Sequence, residues 1–298
     1  MRIFVAGATG VIGRRLVPLL LADGHEVSAL SRRPNASVPA GVRVVVGDVY
    51  DADHLRDVVA AARPDVVMHQ LTDLTARDFA ANTRIRREGT RNLVDAALAA
   101  GVPRVISQSI AWAYEPGSTP ATESTPLDLQ AADEARRTTV EAVATLEEIT
   151  AEAPEWVVLR YGMLYGPGTW YTKGGLMADL ALAGQLSLSP DITSFLHIDD
   201  AATAAAGALT WPNGPVNIVD NTPAPATEWL PTFTQSVGAP TLTQSVGAPT
   251  LTQSVGAPTP PPPTSPSRTP WARGAANAHA HSLGWTPTHP TWHTGFFA

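Results

Sequence analysis

The chain has no cysteine, and Lys173 is the only lysine among its 20 basic residues. The lack of cysteine excludes disulfides, thiolate catalysis and cysteine-ligated metals. No apolar run reaches the 18 residues typical of a membrane-spanning helix. The formal net charge is −7, and no basic patch with interleaved aromatic residues occurs. We therefore expect no metal site, no membrane partner and no nucleic-acid partner.

The amino terminus begins directly with an apolar, strand-like segment. A secretory signal would instead place a charged segment before an apolar one. We therefore expect a cytoplasmic protein. Its 298 residues are enough for one large domain with a smaller appendage.

Short apolar runs alternate with helix-spaced apolar patterns over the first half of the chain. The predicted strands are Ile3–Ala6, Glu26–Ser31, Val42–Val46, Val66–His69, Arg104–Gln108 and Trp156–Tyr161. The predicted helices between them are Val11–Ala22, Ala52–Ala62, Thr83–Ala100 and Glu134–Ala151. This alternation is typical of right-handed crossovers in a parallel sheet. The sequence predicts an α/β fold, a Rossmann-type doubly wound parallel sheet covered on both faces.

The alternation fades after about residue 165, where Gly and Pro become frequent and the predicted helices are shorter. We predict an NADP-binding Rossmann domain over residues 1–165 and a smaller C-terminal substrate-binding lobe over residues 166–298, not fully separate from it. Inside this lobe, residues 234–260 hold three near-identical copies of a nine-residue sequence, TQSVGAPTL. Two readings of this repeat stay open: a tolerated surface loop, or a lid over the substrate.

A glycine-rich turn, Gly7-Ala-Thr-Gly-Val-Ile-Gly13, follows the first strand and precedes the first helix. In this context the glycines permit a tight turn, close approach of a pyrophosphate and close helix packing, while the helix N-terminus favours an anion. We expect the turn to bind a dinucleotide; the alternative is a tight turn without a ligand. Its candidate binding residues are Gly7, Thr9, Gly10, Val11, Ile12 and Gly13.

Further motifs follow in a recognisable order: Gly47-Asp-Val49, Glu88–Ala97, Val105–Ala111, Leu159–Gly168 and Phe195–Asp200. Together with the glycine turn, they resemble the extended short-chain dehydrogenases/reductases, the group of NAD(P)-dependent sugar epimerases and dehydratases. The resemblance covers nearly the whole chain. It implies adenine contacts at Asp48 and Val49, a nicotinamide ribose bordered by His69, Gln70 and Leu71, and a catalytic serine at Ser109.

The end of the second strand selects between the two nicotinamide cofactors in this fold. An acidic residue there binds the ribose hydroxyl of NAD, whereas arginine accommodates the 2′-phosphate of NADP. This chain has Ser31, Arg32 and Arg33 at that place and no acid. We predict NADPH as the cofactor; the alternative is that the two arginines are merely exposed.

The family's usual proton donor is a tyrosine with a lysine four residues later. This chain cannot form that pair, because its only lysine, Lys173, follows Thr169 at that spacing. Alignment on Glu141 places Asp133 and Arg137 at the two positions. Arginine cannot shuttle protons near neutral pH. The proton would then come from the substrate or water, or from a tyrosine placed elsewhere, for which Tyr114 and Tyr161 are the candidates.

An extended-family frame without this pair resembles atypical ketoreductases of aromatic polyketide biosynthesis. The resemblance implies an NADPH-dependent reductase acting on a small-molecule polycyclic aromatic ketone, angucyclinone-like, in antibiotic biosynthesis. Two alternatives remain: a nucleotide-sugar epimerase or dehydratase, and a non-catalytic NADP-binding regulatory protein. The sequence leaves open whether the protein is a monomer or a homodimer.

Overall fold

The computed structural model describes residues 1–74, 79–240 and 267–297. Its strands are β1 Arg2–Ala6, β2 Glu26–Ser31, β3 Arg43–Val46, β4 Val66–His69, β5 Arg104–Ile110, β6 Glu155–Tyr161, β7 Met163–Tyr165, β8 Ile192–Thr193, β9 Phe195–His197, β10 Gly214–Ile218 and β11 Ala224–Pro225. Its α-helices are α1 Gly13–Ala22, α2 Ala52–Ala62, α3 Phe79–Arg84, α4 Thr90–Ala99, α5 Glu134–Thr150, α6 Leu176–Leu182, α7 Ile198–Gly207, α8 Ala226–Val237, α9 Ala278–Ser282 and α10 Trp292–Gly295.

Seven strands form one sheet in the order β10-β6-β5-β4-β1-β2-β3. Chain order reverses between β1 and β4, and parallel registers place Ala6 opposite both Leu30 of β2 and His69 of β4. The carboxyl ends of these three strands therefore meet at one edge, where ligands bind in open α/β folds. The predicted Rossmann-type doubly wound parallel sheet is confirmed.

The spacing of apolar residues explains which face of each helix packs against this sheet. Leu16, Val17 and Leu20 of α1 recur at helical spacing and are buried. At the start of α2, the Asp51 side chain accepts a hydrogen bond from the backbone N–H of His54. This cap satisfies a donor that the first turn of a helix otherwise leaves free. The sequence thus specifies both the buried face and the start of these helices.

One predicted helix differs in detail. The pattern over Thr83–Ala100 predicts a single α-helix, whereas the structure has α3, then a π-helical turn at Ile85–Gly89, then α4. Such turns are rare in proteins, and those that occur are often located at functional sites. The π-helical turn changes which side chains face the protein interior just before α4.

The described chain divides into two compact units. Unit 1 comprises Met1–Ile110, Thr138–Arg160 and Asp199–Val216; unit 2 comprises Ala111–Arg137, Tyr161–Ile198 and Asn217–Ala298. The core of unit 2 is aromatic, with Tyr165, Tyr171 and Phe195 buried among its packed rings. The predicted division at residues 165 and 166, and the role of the second part in substrate binding, stay predictions.

The first repeat copy begins inside α8, whose last residue is Val237. Residues 241–260 of the repeat lie outside the described residues, so both readings of it remain open. Across residues 1–74, 79–240 and 267–297, none of the helices has the length and apolar character needed to cross a membrane.

Candidate cofactor and substrate site

The glycine turn joins β1 to α1 within unit 1. Gly7 has a φ of +101°, and the Gly10 N–H donates to the Gly7 carbonyl at 3.0 Å. A Cβ on Gly7 would collide with the Gln70 backbone, and one on Gly13 would collide with the Gly7 carbonyl. Both positions therefore need glycine for steric reasons, which is the arrangement that the fingerprint predicts.

At the start of α1, the backbone N–H groups of Val11, Ile12 and Gly13 have no hydrogen-bond partner among the described residues. No side chain caps the helix at Ile12, and its first turn has no acidic residue. Gly10 and Val11 are exposed beside it, while Ile12 is buried and anchors the turn. The Arg14 Nε donates to the Thr9 carbonyl at 2.8 Å and so fixes the turn from outside. Free N–H groups beside an exposed glycine fit a bound pyrophosphate.

The residues after β2 form a small turn with two exposed arginines. The Ser31 hydroxyl accepts from the Arg33 backbone N–H at 3.1 Å, which holds the turn at the strand end. Among the described residues, neither guanidinium has a hydrogen-bond or ion-pair partner. The two cations are thus available to an anion at the same sheet edge as the glycine turn.

Asp48 and Val49 follow β3 in the same unit. The Asp48 carboxylate accepts from the Tyr50 N–H at 3.0 Å, and its side chain is half-buried. Val49 packs in the core, and its carbonyl accepts from the Asn92 amide at 2.9 Å. The predicted adenine contacts of both residues stay predictions.

His69 ends β4 and is fully buried. Its Nδ1 accepts from the Leu71 N–H at 3.2 Å, so its Nε2 carries the proton and donates to the Thr90 hydroxyl at 2.9 Å. Burial lowers the pKa of His69 to about 4. The ring is therefore neutral near pH 7, and it ties the Gln70–Leu71 segment beside Gly7 to the start of α4.

This environment predicts an acid-sensitive contribution to stability. His69 has an ordinary pKa of 6.5 and a folded pKa of about 4, so its contribution is complete above pH 6.5 and is lost as the pH falls towards 4. The loss over that window is about 3 kcal/mol. Urea unfolding of the wild type and His69→Asn from pH 7.5 to 4.5 should show a steeper acid decline in the wild type. Parallel curves would exclude this role, since all other titratable groups are common to both proteins.

Ser109 lies near the end of β5 and exposes only 5% of its surface. Its hydroxyl donates to the Glu147 Oε1 at 2.7 Å. The Arg160 guanidinium donates to the same carboxylate, from Nε to Oε1 at 2.9 Å and from Nη2 to Oε2 at 2.5 Å. The predicted role of Ser109 in polarising a substrate oxygen stays a prediction, and it requires the hydroxyl to turn away from Glu147.

The two positions of the missing proton-donor pair lie in unit 2, at the start of α5. Asp133 precedes the helix, and its carboxylate accepts from the Arg136 N–H at 2.7 Å. The Arg137 guanidinium donates to the Ala131 carbonyl at 3.0 Å. Both side chains therefore make local contacts at a helix end.

The two candidate tyrosines also belong to unit 2 and are buried. Tyr114 exposes 1% of its surface and donates its hydroxyl proton to the Asn217 Oδ1. Tyr161 exposes 3%. As a proton donor, Tyr114 would first have to release Asn217. The proposed catalytic roles of Tyr114 and Tyr161 stay predictions.

Two further polar residues of unit 1 escaped the sequence analysis. Gln108 lies on β5, and its buried Nε2 has no hydrogen-bond partner among the described residues. Arg86 lies in the π-helical turn and exposes only 9% of its surface. An amide side chain within an apolar strand could have drawn attention to Gln108. The sequence pattern around Arg86, by contrast, predicts only one of several arginines on a helix surface.

A model of a known protein family covers most of the chain. The model of the NAD dependent epimerase/dehydratase family matches residues 3–219, from β1 through the last strand of the large sheet. The chain belongs to this family. An enzyme of oxidoreductase or epimerase type with a nicotinamide dinucleotide cofactor is thereby supported, and the glycine turn fits such a cofactor.

Individual relatives add detail to the family. The chain is 45% identical to a Streptomyces protein named 3-diazoavenalumate denitrifying reductase, over 99% of each chain. The structure resembles a Thermus thermophilus UDP-glucose 4-epimerase in complex with NAD, with a TM-score of 0.74, 23% identity and coverage of 100% and 97% of the two chains. It also resembles the Bordetella bronchiseptica enzyme WbmG in complex with NAD and UDP, with a TM-score of 0.74, 21% identity and coverage of 100% and 93%. At these identities, the two structures support the fold alone.

Proposed function

We propose that this chain is an NADPH-dependent reductase of an aromatic small molecule that works without a tyrosine–lysine pair. The observation that carries the proposal is its 45% identity, over nearly the full length of both chains, to a protein named as a reductase. Bound NADPH would supply a hydride. Gly7, Gly10 and Gly13 would hold its pyrophosphate at the N-terminus of α1.

Arg32 and Arg33 support NADPH over NADH. Their exposed guanidinium groups follow β2 and have no protein partners among the described residues. A guanidinium matches the geometry of a phosphate, and such charge-assisted hydrogen bonds are the strong ones. Positions 31–33 contain no acidic residue, so no carboxylate is present there to bind the 2′-hydroxyl of NAD.

The 45% identical relative is named as a reductase of 3-diazoavenalumate, so the first candidate acceptor is a diazo group. When hydride replaces N2 on an aryl diazonium carbon, a C–H bond forms, the C–N bond breaks, and N2 leaves with its bonding electron pair. Reduction of a ketone by hydride instead leaves an alkoxide that must gain a proton. A diazo acceptor therefore matches a chain whose only lysine, Lys173, cannot build the usual proton-donor pair.

A polycyclic aromatic ketone, angucyclinone-like, is the second candidate substrate. It is favoured by the resemblance of the chain to atypical ketoreductases, and it would belong to antibiotic biosynthesis. In this case the proton would come from a substrate phenol, from water, or from Tyr114 or Tyr161. Both candidates use the same cofactor site and differ in their need for an acid.

The test is coenzyme consumption with matched acceptors. We expect the purified chain to oxidise NADPH faster than NADH when given an ortho-hydroxyaryl diazonium carboxylate, with release of one N2 per NADPH. An angucyclinone ketone in a parallel assay decides between the two acceptors, and protein-free mixtures control for direct reduction. No oxidation with either acceptor, together with isomerisation or dehydration of a nucleotide sugar, would replace the proposal by the epimerase or dehydratase alternative. Binding of NADP without any turnover would favour the regulatory alternative.

A further inference from the structure

Arg86 is a buried cation without a hydrogen-bond partner among the described residues. It lies in the π-helical turn Ile85–Gly89 and exposes 9% of its surface. Within the described parts of the chain, its guanidinium makes neither a hydrogen bond nor an ion pair. Burial lowers the pKa of Arg86 to about 10, and the charge of Glu147 opposes this only in part. An unpaired buried charge is costly, so it calls for a compensating anion.

The nearby Glu147 carboxylate is paired with another cation. Arg160 donates to both of its oxygens and Ser109 donates to Oε1, whereas Arg86 makes no hydrogen bond to it within the described residues. The Glu147 carboxylate therefore acts on two guanidinium groups of unit 1 but is bonded only to that of Arg160. The group of Arg86, Glu147 and Arg160 carries a net positive charge of about one unit.

The surrounding contacts place this charge near the edge of the sheet where the cofactor residues lie. Thr90, one turn beyond Arg86, bonds the ring of His69 at the end of β4. Glu147 bonds Ser109 near the end of β5. Ligands of open α/β sheets bind outside these strand ends. A planar guanidinium there is suited to bind an oxyanion through two parallel hydrogen bonds.

We propose that Arg86 binds an oxyanion of the substrate, either a carboxylate or a phenolate. The proposal rests on the proposed function in taking an aromatic small molecule as the substrate, and it adds that this molecule carries a negative charge. Arg86 stays charged at neutral pH and donates hydrogen bonds without giving up a proton. It therefore holds a negatively charged substrate in a chain that lacks the usual lysine, and it does not replace the acid.

Binding measurements on the NADP-loaded protein test this assignment without requiring turnover. Cinnamate offers only a carboxylate, methyl 4-hydroxy-3-nitrocinnamate offers only a phenolate, and methyl cinnamate is the neutral control. We expect Arg86→Gln to raise the dissociation constant of at least one anion about tenfold to a hundredfold and to leave methyl cinnamate within twofold. The dissociation constant of Arg86→Lys should lie between those of the wild type and Arg86→Gln. Arg87→Gln removes an exposed arginine from the same turn and should bind like the wild type.

Thermal unfolding separates this role from a structural one. Removal of an unpaired buried charge should leave the melting temperature of the ligand-free Arg86→Gln protein unchanged or higher, while the stabilisation by the bound anion is lost. A lower melting temperature, failure to fold, or equal binding of both anions to Arg86→Gln and the wild type would overturn the proposal. If the anions bind through Arg86 but no acceptor oxidises NADPH, the proposed function fails while the anion site stands.

Discussion

Replacing Arg32 and Arg33 together by alanine is expected to lower kcat/KM for NADPH about a hundredfold or more, while kcat/KM for NADH changes by less than about threefold. Hydrogen bonds to charged groups contribute about 1.5–3 kcal/mol each, and two of them would be lost. Both side chains are exposed and make no hydrogen bond or ion pair within the described residues, so their removal should leave stability unchanged. Steady-state kinetics with both coenzymes, combined with thermal unfolding, measures the effect.

Arg43→Ala is the matched control for this pair. Arg43 is an exposed arginine on the neighbouring strand β3, where its Nε bonds the Ser28 hydroxyl at 3.2 Å. Its removal changes the net charge without touching the end of β2 and should leave the coenzyme preference intact. A wild-type preference for NADH, or equal losses with both coenzymes in the double variant, would contradict the assignment of NADPH.

Arg136→Met is expected to destabilise the protein by about 3–5 kcal/mol. The buried Arg136 guanidinium donates to the Asp128 Oδ2 at 2.7 Å and to the carbonyls of Trp112 and Tyr114 at 3.1 and 2.9 Å. It also lies 4.1 Å above the Trp271 ring. Its removal leaves a buried carboxylate without its cation, which is among the most costly of single substitutions.

Urea unfolding measures this loss, with two companion variants. Arg137→Met removes the neighbouring arginine, which makes one hydrogen bond to a carbonyl, and should cost about 1 kcal/mol. The double variant Arg136→Met, Asp128→Leu removes both charges and should recover much of the stability. If Arg136→Met and Arg137→Met are equally stable, the ion pair does not anchor the segment after β5.

The sequence was sufficient to predict the central sheet and the glycine turn. The signals for these features are local: a buried strand, glycines at fixed spacing and a helix with one apolar face lie within residues 1–22. The clash of a Cβ on Gly13 with the Gly7 carbonyl involves residues six apart, so sequence spacing alone specifies it. The same reasoning located the ends of β2 and β4 accurately, at Ser31 and His69.

Arg86 shows what sequence reasoning could not reach. Its neighbours Arg84 and Arg87 are exposed and pair with Glu88 and Glu141, as a helix surface predicts. The π-helical turn shifts the helical phase by a fraction of a turn, which places Arg86 inside. Its interaction with Glu147 spans many intervening residues and depends on how the helices pack. Spacing rules do not describe such long-range contacts.

The aromatic residues of the second half illustrate a related limit. Tyrosines and tryptophans in this part of the sequence are as compatible with a pocket for a flat substrate as with a core, because composition does not distinguish the two. In the structure, Tyr165 and Tyr171 pack edge-on against Phe195 and belong to the core of unit 2. The interleaving of the two units along the chain is equally invisible to local patterns, because it depends on contacts between distant segments.

Isotope tracing tests the central claim, hydride reduction without a paired acid, most directly. The purified protein would be given NADPH carrying deuterium at either face of the nicotinamide C4, with the aryl diazonium or the ketone as acceptor. We predict that one of the two labelled coenzymes places one deuterium per turnover on the carbon that lost N2 or on the reduced carbonyl carbon. A product that takes this hydrogen from solvent, or one formed without oxidation of NADPH, would contradict the account.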